Sequence, residues 1–336
     1  MGQNPLVLIL NSKDVAKALT MAEAITEMER AFAVLARGAV ELPQRTQLRV
    51  AGERGTSLIM PCHAADERGS GGEALMVKVA SVFPGNLERE MATINGAVLV
   101  LDPETGVPEA VMDAGSLTAI RTAAASGLAT RLLAPRDARV LAVIGAGGQA
   151  RSQLAAVCAV RPIEEVRVYS RTAERAHEMV EELGGESSAT LRVVGSAGEA
   201  IADADVICTA TTSAQAVFED RDLKANVHLN AVGAYRPDLA EIPVETCGRA
   251  FVVVDSLAAA REEAGDLIQA VAAGVMNWPE IGAELGELVL GRVEIPPRPG
   301  VTLFKSVGLA VQDAFAAKAA LANARQLGLG AEVSLE

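Results

Sequence analysis

The run Val140-Leu-Ala-Val-Ile144, followed directly by Gly145-Ala146-Gly147-Gly148-Gln149-Ala150, decides the fold. A short apolar strand that enters G-x-G-x-x-A and then a helical pattern is the strand–turn–helix that holds a dinucleotide pyrophosphate. Gly145 permits the tight turn, and Gly147 lets a phosphate approach the backbone. Ala150 is small enough for the helix to sit close on the strand. The helix N-terminus adds unpaired N–H groups and the positive end of a dipole. In an alanine- and glycine-rich chain such glycines also serve close packing alone, so the surroundings decide. Residues 139–144, 165–170, 191–194, 205–209, 227–232 and 251–255 read as six short apolar strands alternating with helices. That rhythm predicts a parallel sheet covered on both faces, an α/β Rossmann fold over about 119–307.

The flanks read differently. Residues 5–10 predict a strand, and Asn11, Ser12 and Asp14 can cap a helix over about 13–19. Ile25, Met28, Phe32 and Leu35 recur at helical spacing over 21–37, and Gly38 ends that helix. Residues 45–51, 56–62, 75–83 and 96–101 read as strands, with 107–112 returning as a hairpin partner after the turn at 102–106. An alanine-rich helix covers 116–133, and a run at 302–305 precedes a long helix from about 308 to 327. The expectation is an α+β substrate and dimerisation domain at 1–118, dominated by antiparallel strands and joined by the segment at about 308–336.

Composition excludes several function classes. The 336 residues are 50% hydrophobic but 3% aromatic, with roughly 60 alanines making up the difference, far above average usage. The net charge of −13 predicts no nucleic-acid partner and no attraction to an anionic membrane. No apolar run is long enough to span a bilayer, and the N-terminus has no basic region of a signal peptide. Cys62, Cys158, Cys208 and Cys247 are scattered, as are His63, His177 and His228. This predicts no disulfide framework, no metal site and a cytoplasmic enzyme.

Three further segments bear on the cofactor. The second strand of the α/β unit ends in Ser170-Arg171-Thr172, where an NAD-binding fold carries an acid for the ribose hydroxyls. Two hydroxyls and a guanidinium suit a 2′-phosphate, which predicts NADPH, with NADH weaker. The plainer alternative is a helix start, with Ser170 or Thr172 as cap. Thr209, Ala210 and Thr211 end the fourth strand, at the edge where such sheets bind ligands. An ordinary loop with capping hydroxyls is the alternative there.

Taken in order, Arg121-Thr-Ala-Ala124, Gly145 to Ala150 and Asn230-Ala-Val-Gly233 resemble the motif series of the ornithine cyclodeaminase/mu-crystallin family. Met60-Pro61, Lys78, Pro84, Asn86, Thr105-Gly106, Leu285-Gly286-Glu287 and Phe304-Lys-Ser-Val-Gly308 extend the likeness over about 45–330. The resemblance implies a Rossmann domain beside a substrate domain, and a homodimer. It adds Thr122, Val232 and Gly233 to the cofactor residues, and implies that Arg45, Lys78 and Arg121 hold a substrate carboxylate. Charge chemistry agrees, because Lys and Arg are rarely buried without a partner and Arg offers a bidentate fork. Pairing with an internal acid is the alternative, and Arg49 competes with Arg45 for the role.

Two departures separate this chain from the family's cyclodeaminases. Leu58 stands where they carry a catalytic Glu, and Tyr235 where they carry a catalytic Asp. The variant Arg236-Pro237-Asp238 looks like the ketimine-reductase branch. The resemblance therefore implies NADPH-dependent reduction of a small carboxylated imine, such as Δ1-pyrroline-2-carboxylate or Δ1-piperideine-2-carboxylate, to an L-amino acid. Lys78 is the first candidate for protonating the imine nitrogen, since burial among cations lowers its pKa. Asp238 is the second, with a turn role as its alternative. Leu58, Met60 and Val82 are candidates for the pocket wall, and His63 reads as a structural histidine. The competing activities are an ornithine or lysine cyclodeaminase with bound NAD, an alanine-type dehydrogenase, and a crystallin-like protein that binds NADPH without turnover.

Overall fold

The computed structural model describes residues 6–50, 54–65, 73–89, 91–185, 187–297 and 300–335. The expected strand ends at positions 5 and 51 and the N-terminal residues before 6 lie outside them. The chain divides into two compact units, Met1–Arg121 with Leu309–Glu336, and Thr122–Gly308.

The first unit opens with β1 (Leu6–Leu10), α1 (Ser12–Ala18) and α2 (Met21–Ala36). Both helices begin on reciprocal caps. The Asn11 side chain accepts from the N–H groups of Lys13 and Asp14, and Asp14 accepts from the Asn11 N–H. Thr20 and Glu23 repeat the arrangement for α2. Gly38, at a φ of 76°, turns the chain out of α2. There follow β2 (Val40–Glu41), β3 (Thr46–Val50), β4 (Gly55–Ala64), β5 (Ala74–Val82), β6 (Ile94–Leu101) and β7 (Pro108–Asp113). Helix α3 (Ala114–Leu133) begins in the first unit and ends in the second.

The second unit continues with β8 (Val140–Ile144), α4 (Gly148–Val160), β9 (Glu165–Tyr169), α5 (Ala173–Leu183), β10 (Thr190–Val193), α6 (Ala197–Ile201), β11 (Val206–Thr209) and β12 (Val227–Ala231). It ends with α7 (Val244–Arg249), β13 (Phe251–Val254), α8 (Leu257–Glu263), α9 (Gly265–Ala272), β14 (Ala283–Glu284), α10 (Leu285–Val289) and β15 (Val301–Lys305). The chain then returns to the first unit as α11 (Ala310–Leu327) and β16 (Ala331–Ser334).

In the first unit the strands run in the order β16-β1-β7-β6-β5-β4-β2, with β3 also paired to β4. Most pairs are antiparallel, as expected, but β1 lies parallel to β7 and β16 closes the edge beside β1. Neither pairing follows from local pattern, because the partners are far apart in sequence. Helix α11 packs on β4, β5 and α2. Its residues Ala310 to Ala317 are all buried, which agrees with the many alanines of this helix. By strand register, Leu58, Met60, Lys78, Ala80 and Val82 share one sheet face, since Met60 lies opposite Lys78 and Leu58 opposite Ala80.

The second unit is a doubly wound, wholly parallel sheet in the order β10-β9-β8-β11-β12-β15-β13-β14. The six expected strands are all present. The run at 302–305, expected only to precede a helix, belongs to β15 and enters the sheet between β12 and β13. Chain order reverses between β8 and β11, the switch point where such sheets bind ligands at their carboxyl ends. His228 is fully buried in this sheet, and burial pushes its pKa down to about 3, so the ring is neutral. Its Nδ1 faces the Thr302 hydroxyl at 2.8 Å and its Nε2 the Asn230 Oδ1 at 3.2 Å. Asn230 in turn donates to Thr130 Oγ1, so every ring polar atom is satisfied.

Candidate active site

Gly145 starts the turn after β8 at a φ of 110°, and an added Cβ would lie 2.5 Å from the Ala210 carbonyl oxygen. The glycine is required there by both conformation and space. Gly147 and Gly148 are the opposite case, because a Cβ at either meets nothing within 4 Å. Helix α4 begins at this open place with Gly147 as its cap, and no side chain caps it. An uncapped helix start at an open glycine turn fits a pyrophosphate. Gln149 Oε1 and Thr209 Oγ1 are buried beside these loops in sequence, with no hydrogen-bond partner among the described residues. These residues suit a dinucleotide. At the end of β9 the sheet carries no acid. Ser170 Oγ accepts from the Thr172 N–H at 3.3 Å, and Arg171 is exposed. Thr172 is the cap residue of α5, yet its hydroxyl makes no capping bond. Thr122, Val232 and Ala210 lie in the same unit, the first two buried.

The first unit holds the residues expected to bind an anion. Lys78, 2% exposed, rises from the middle of β5, and Arg121, 5% exposed, from α3. Asp313, on α11 and wholly buried, lies between them. Its Oδ1 accepts from Lys78 Nζ at 2.9 Å and from Arg121 Nε at 3.0 Å. Thr118 Oγ1 accepts a second Lys78 hydrogen bond at 2.6 Å. Gln312 Oε1 takes Arg121 Nη1 at 3.1 Å and the Leu309 N–H at 2.8 Å. Burial would raise the Asp313 pKa, but Arg121 and Lys78 more than offset it, so the carboxylate stays ionised. Burial pushes the Lys78 ammonium down to about 8. Asp313 resists that shift, while Arg121 and Arg45 add to it.

The internal acid that sequence reasoning held out as the alternative partner therefore exists, but it is one acid for two cations. The trio keeps one positive charge, and Arg45 contributes its field as well. Asp313 Oδ2 and Gln312 Nε2 are also buried without a hydrogen-bond partner among the described residues. Gln312 Nε2 is a donor and, with the residual positive charge of the trio, suits an anion, whereas Asp313 Oδ2 is an acceptor and calls for a donor. Asp313 escaped the sequence reading because its helix reads only as alanine-rich and it lies 235 positions from Lys78.

The other expected residues are not members of the hydrogen-bonded trio. Arg45 is half-buried and precedes β3, which starts at Thr46, while Arg49 is exposed within the strand. His63 pairs with Glu73 at 2.8 Å. Asp238 is exposed, and Arg236 Nε donates to its Oδ1 at 2.9 Å. Arg236 holds the Asp238 carboxyl below its usual range. Asp238 is thus a surface carboxylate paired with its neighbour, which agrees with the turn alternative. Tyr235, at the cyclodeaminase acid position, packs against the apolar core of the second unit.

The chain is similar to known proteins along nearly its whole length. Residues 7–327 match the model of the ornithine cyclodeaminase/mu-crystallin family. A Δ1-pyrroline-2-carboxylate reductase of Bacillus cereus is 39% identical over 97% of this chain and 99% of its own length. The ketimine reductase mu-crystallin of Mus musculus is 37% identical over 84% of each chain. The structure of Thermococcus litoralis Δ1-pyrroline-2-carboxylate reductase in complex with NADH and L-proline superimposes with a TM-score of 0.92 at 38% identity. That match covers 97% of this chain and 100% of the other.

Proposed function

The chain belongs to the ornithine cyclodeaminase/mu-crystallin family, and from that premise we propose that it is a reductase of small cyclic imines bearing an adjacent carboxylate. The single observation that carries the reading is the buried trio of Lys78, Arg121 and Asp313, in which two cations share one acid. Its residual charge suits the carboxylate of Δ1-pyrroline-2-carboxylate or Δ1-piperideine-2-carboxylate. Relatives named for this chemistry share more than a third of the sequence, one of them solved with a dinucleotide and L-proline. Leu58 and Tyr235, in place of two acids, count against ammonia loss from ornithine or lysine.

A dinucleotide held at the glycine turn would supply a hydride for the imine carbon. The protein's own residues do the rest. Arg121 and Arg45 fix the carboxylate and with it the orientation of the C=N bond. Lys78, with a pKa of about 8, carries a proton at neutral pH and releases it readily. That proton goes to the imine nitrogen, which makes the carbon electrophilic, and the products are an L-amino acid and oxidised cofactor. The Asp313 carboxylate holds the ammonium in place through the 2.9 Å contact.

The cofactor on this reading is NADPH, supported by the Thr172 hydroxyl, which makes no capping bond, the exposed Arg171 and the absence of an acid at the end of β9. Four free cysteines agree with a reducing cytoplasm. The protein is a homodimer, supported by the second face of the first unit's sheet. There Ile59, Pro61, Val77 and Leu99 are only half-buried and Val79 is exposed, an apolar surface that a second copy would cover. One assay tests the activity and the cofactor together. Reduced-cofactor absorbance is followed with each cyclic imine, with 2-oxo acids plus ammonia, and with ornithine. Consumption of NADPH with a cyclic imine, and a switch toward NADH in Arg171→Asp, are expected. Ammonia release from ornithine without added reductant would refute the reading.

A further inference from the structure

Glu241 belongs to no helix or strand and is wholly buried in the second unit. Its two oxygens serve two different strand ends. Oε1 accepts from the Thr211 N–H at 2.6 Å, just past β11. Oε2 accepts from the N–H groups of Gly233 at 2.7 Å and Ala234 at 3.2 Å, just past β12. The backbones are in close contact there, since a Cβ on Gly233 would lie 2.1 Å from the Thr211 carbonyl and 2.5 Å from Glu241 Oε1. Glu241 is itself anchored, because its N–H donates to Asp266 Oδ1 at 2.6 Å. Asp266 Oδ2 lies 2.6 Å from the buried Lys305 ammonium.

Strands β11 and β12 belong to the second half of the doubly wound sheet, beyond the switch point. In such a sheet each half takes one nucleotide, and the glycine-loop half takes the pyrophosphate and adenosine. The nicotinamide half therefore meets the tips of β11 and β12. Thr209, the last residue of β11, presents a buried hydroxyl with no partner among the described residues.

We propose that Glu241 is a positioning residue for the nicotinamide half of the cofactor, tying the tips of β11 and β12 into one fixed surface. The inference rests on the dinucleotide reading above and extends it to a residue that touches neither cofactor nor substrate. A carboxylate is needed because two separate oxygens must each accept. An amide at this position satisfies one tip and turns its own N–H groups on the other. A buried N–H left without an acceptor disfavours the present loop geometry.

The test uses Glu241→Gln in the full-length protein, with two probes titrated by fluorescence or calorimetry. NADPH carries the nicotinamide half, and adenosine diphosphate lacks it. Affinity for NADPH is expected to fall about tenfold or more, the scale of one unmade buried hydrogen bond. Adenosine diphosphate affinity is expected to stay within about twofold of wild type, because the glycine loop is not altered. Equal loss for both probes would mean a general loosening of the unit and overturns the proposal, as does no loss for either. Should Glu241→Gln not fold, Glu241→Asp repeats the test, since one methylene less cannot span both tips. Amide exchange in wild type gives an independent check. The Thr211, Gly233 and Ala234 N–H groups must be protected before any cofactor is added, and free exchange there overturns the proposal. A wild type that binds adenosine diphosphate but no nicotinamide dinucleotide would fail the cofactor reading itself, and the proposal with it.

Discussion

At the scale of single residues, the proposed chemistry rests on how one buried carboxylate divides itself between two buried cations. Lys78 was legible in the sequence because a lysine inside an apolar strand needs a partner. Its partner Asp313 was not legible, because nothing local marks one acid on a helix as facing a strand 235 positions earlier. The Lys78 pKa of about 8 sets the pH behaviour. Its folded pKa lies below the ordinary lysine value, so the ammonium is present below pH 8 and lost as pH rises through 8. The kcat/KM for imine reduction is therefore expected to be flat below that point and to fall above it. Asp313 resists the downward shift, so Asp313→Asn should move the alkaline limb to lower pH by about one unit or more. A limb that stays in place in Asp313→Asn, measured over a full pH profile, would contradict the shared-acid account. Asp313→Ala is expected to be costly to the fold as well. Breaking a buried ion pair by removing one member costs about 3–5 kcal/mol.

At the scale of elements, the strand β8, the turn at Gly145 and helix α4 were read correctly because each step has a local cause. An apolar β-branched run makes the strand, a glycine with positive φ makes the turn, and the small residue Ala150 lets α4 sit on the sheet. Pairings between distant segments were less legible. The run at 301–305 enters the parallel sheet, and β16 pairs with β1, because open edges and buried faces were available there. Periodicity reports which face of a strand is apolar but does not name its neighbour. The glycines of the turn allow a clean separation of folding from binding. Gly147→Ala places its Cβ in open space at a permitted φ, so melting temperature should change little while dinucleotide affinity drops. Gly145→Ala puts its Cβ 2.5 Å from a carbonyl oxygen and should lower the melting temperature too. Unchanged cofactor affinity in Gly147→Ala would show that the turn does not cradle the pyrophosphate.

At the scale of the whole molecule, the low aromatic and high alanine content is explained by close packing. Helix α11 is buried along most of its length and is rich in alanine on that account. The net charge of −13 repels both an anionic imine and an anionic dinucleotide, so the interior cations must work against the field of the rest. The open apolar face of the first unit's sheet predicts self-association. Val79→Lys lies in the middle of that face, 41% exposed, and should convert a dimer to a monomer in sedimentation without loss of secondary structure. A wild-type monomer at micromolar concentration would contradict the expected homodimer. The central claim, that hydride passes to the carbon of a carboxylated imine, is tested most directly by isotope transfer. The protein is incubated with Δ1-pyrroline-2-carboxylate and NADPH carrying deuterium at the transferable position of the nicotinamide. The expected product is L-proline with one deuterium on its α-carbon and one equivalent of oxidised cofactor. Proline without deuterium, or no proline while ornithine releases ammonia, would contradict it.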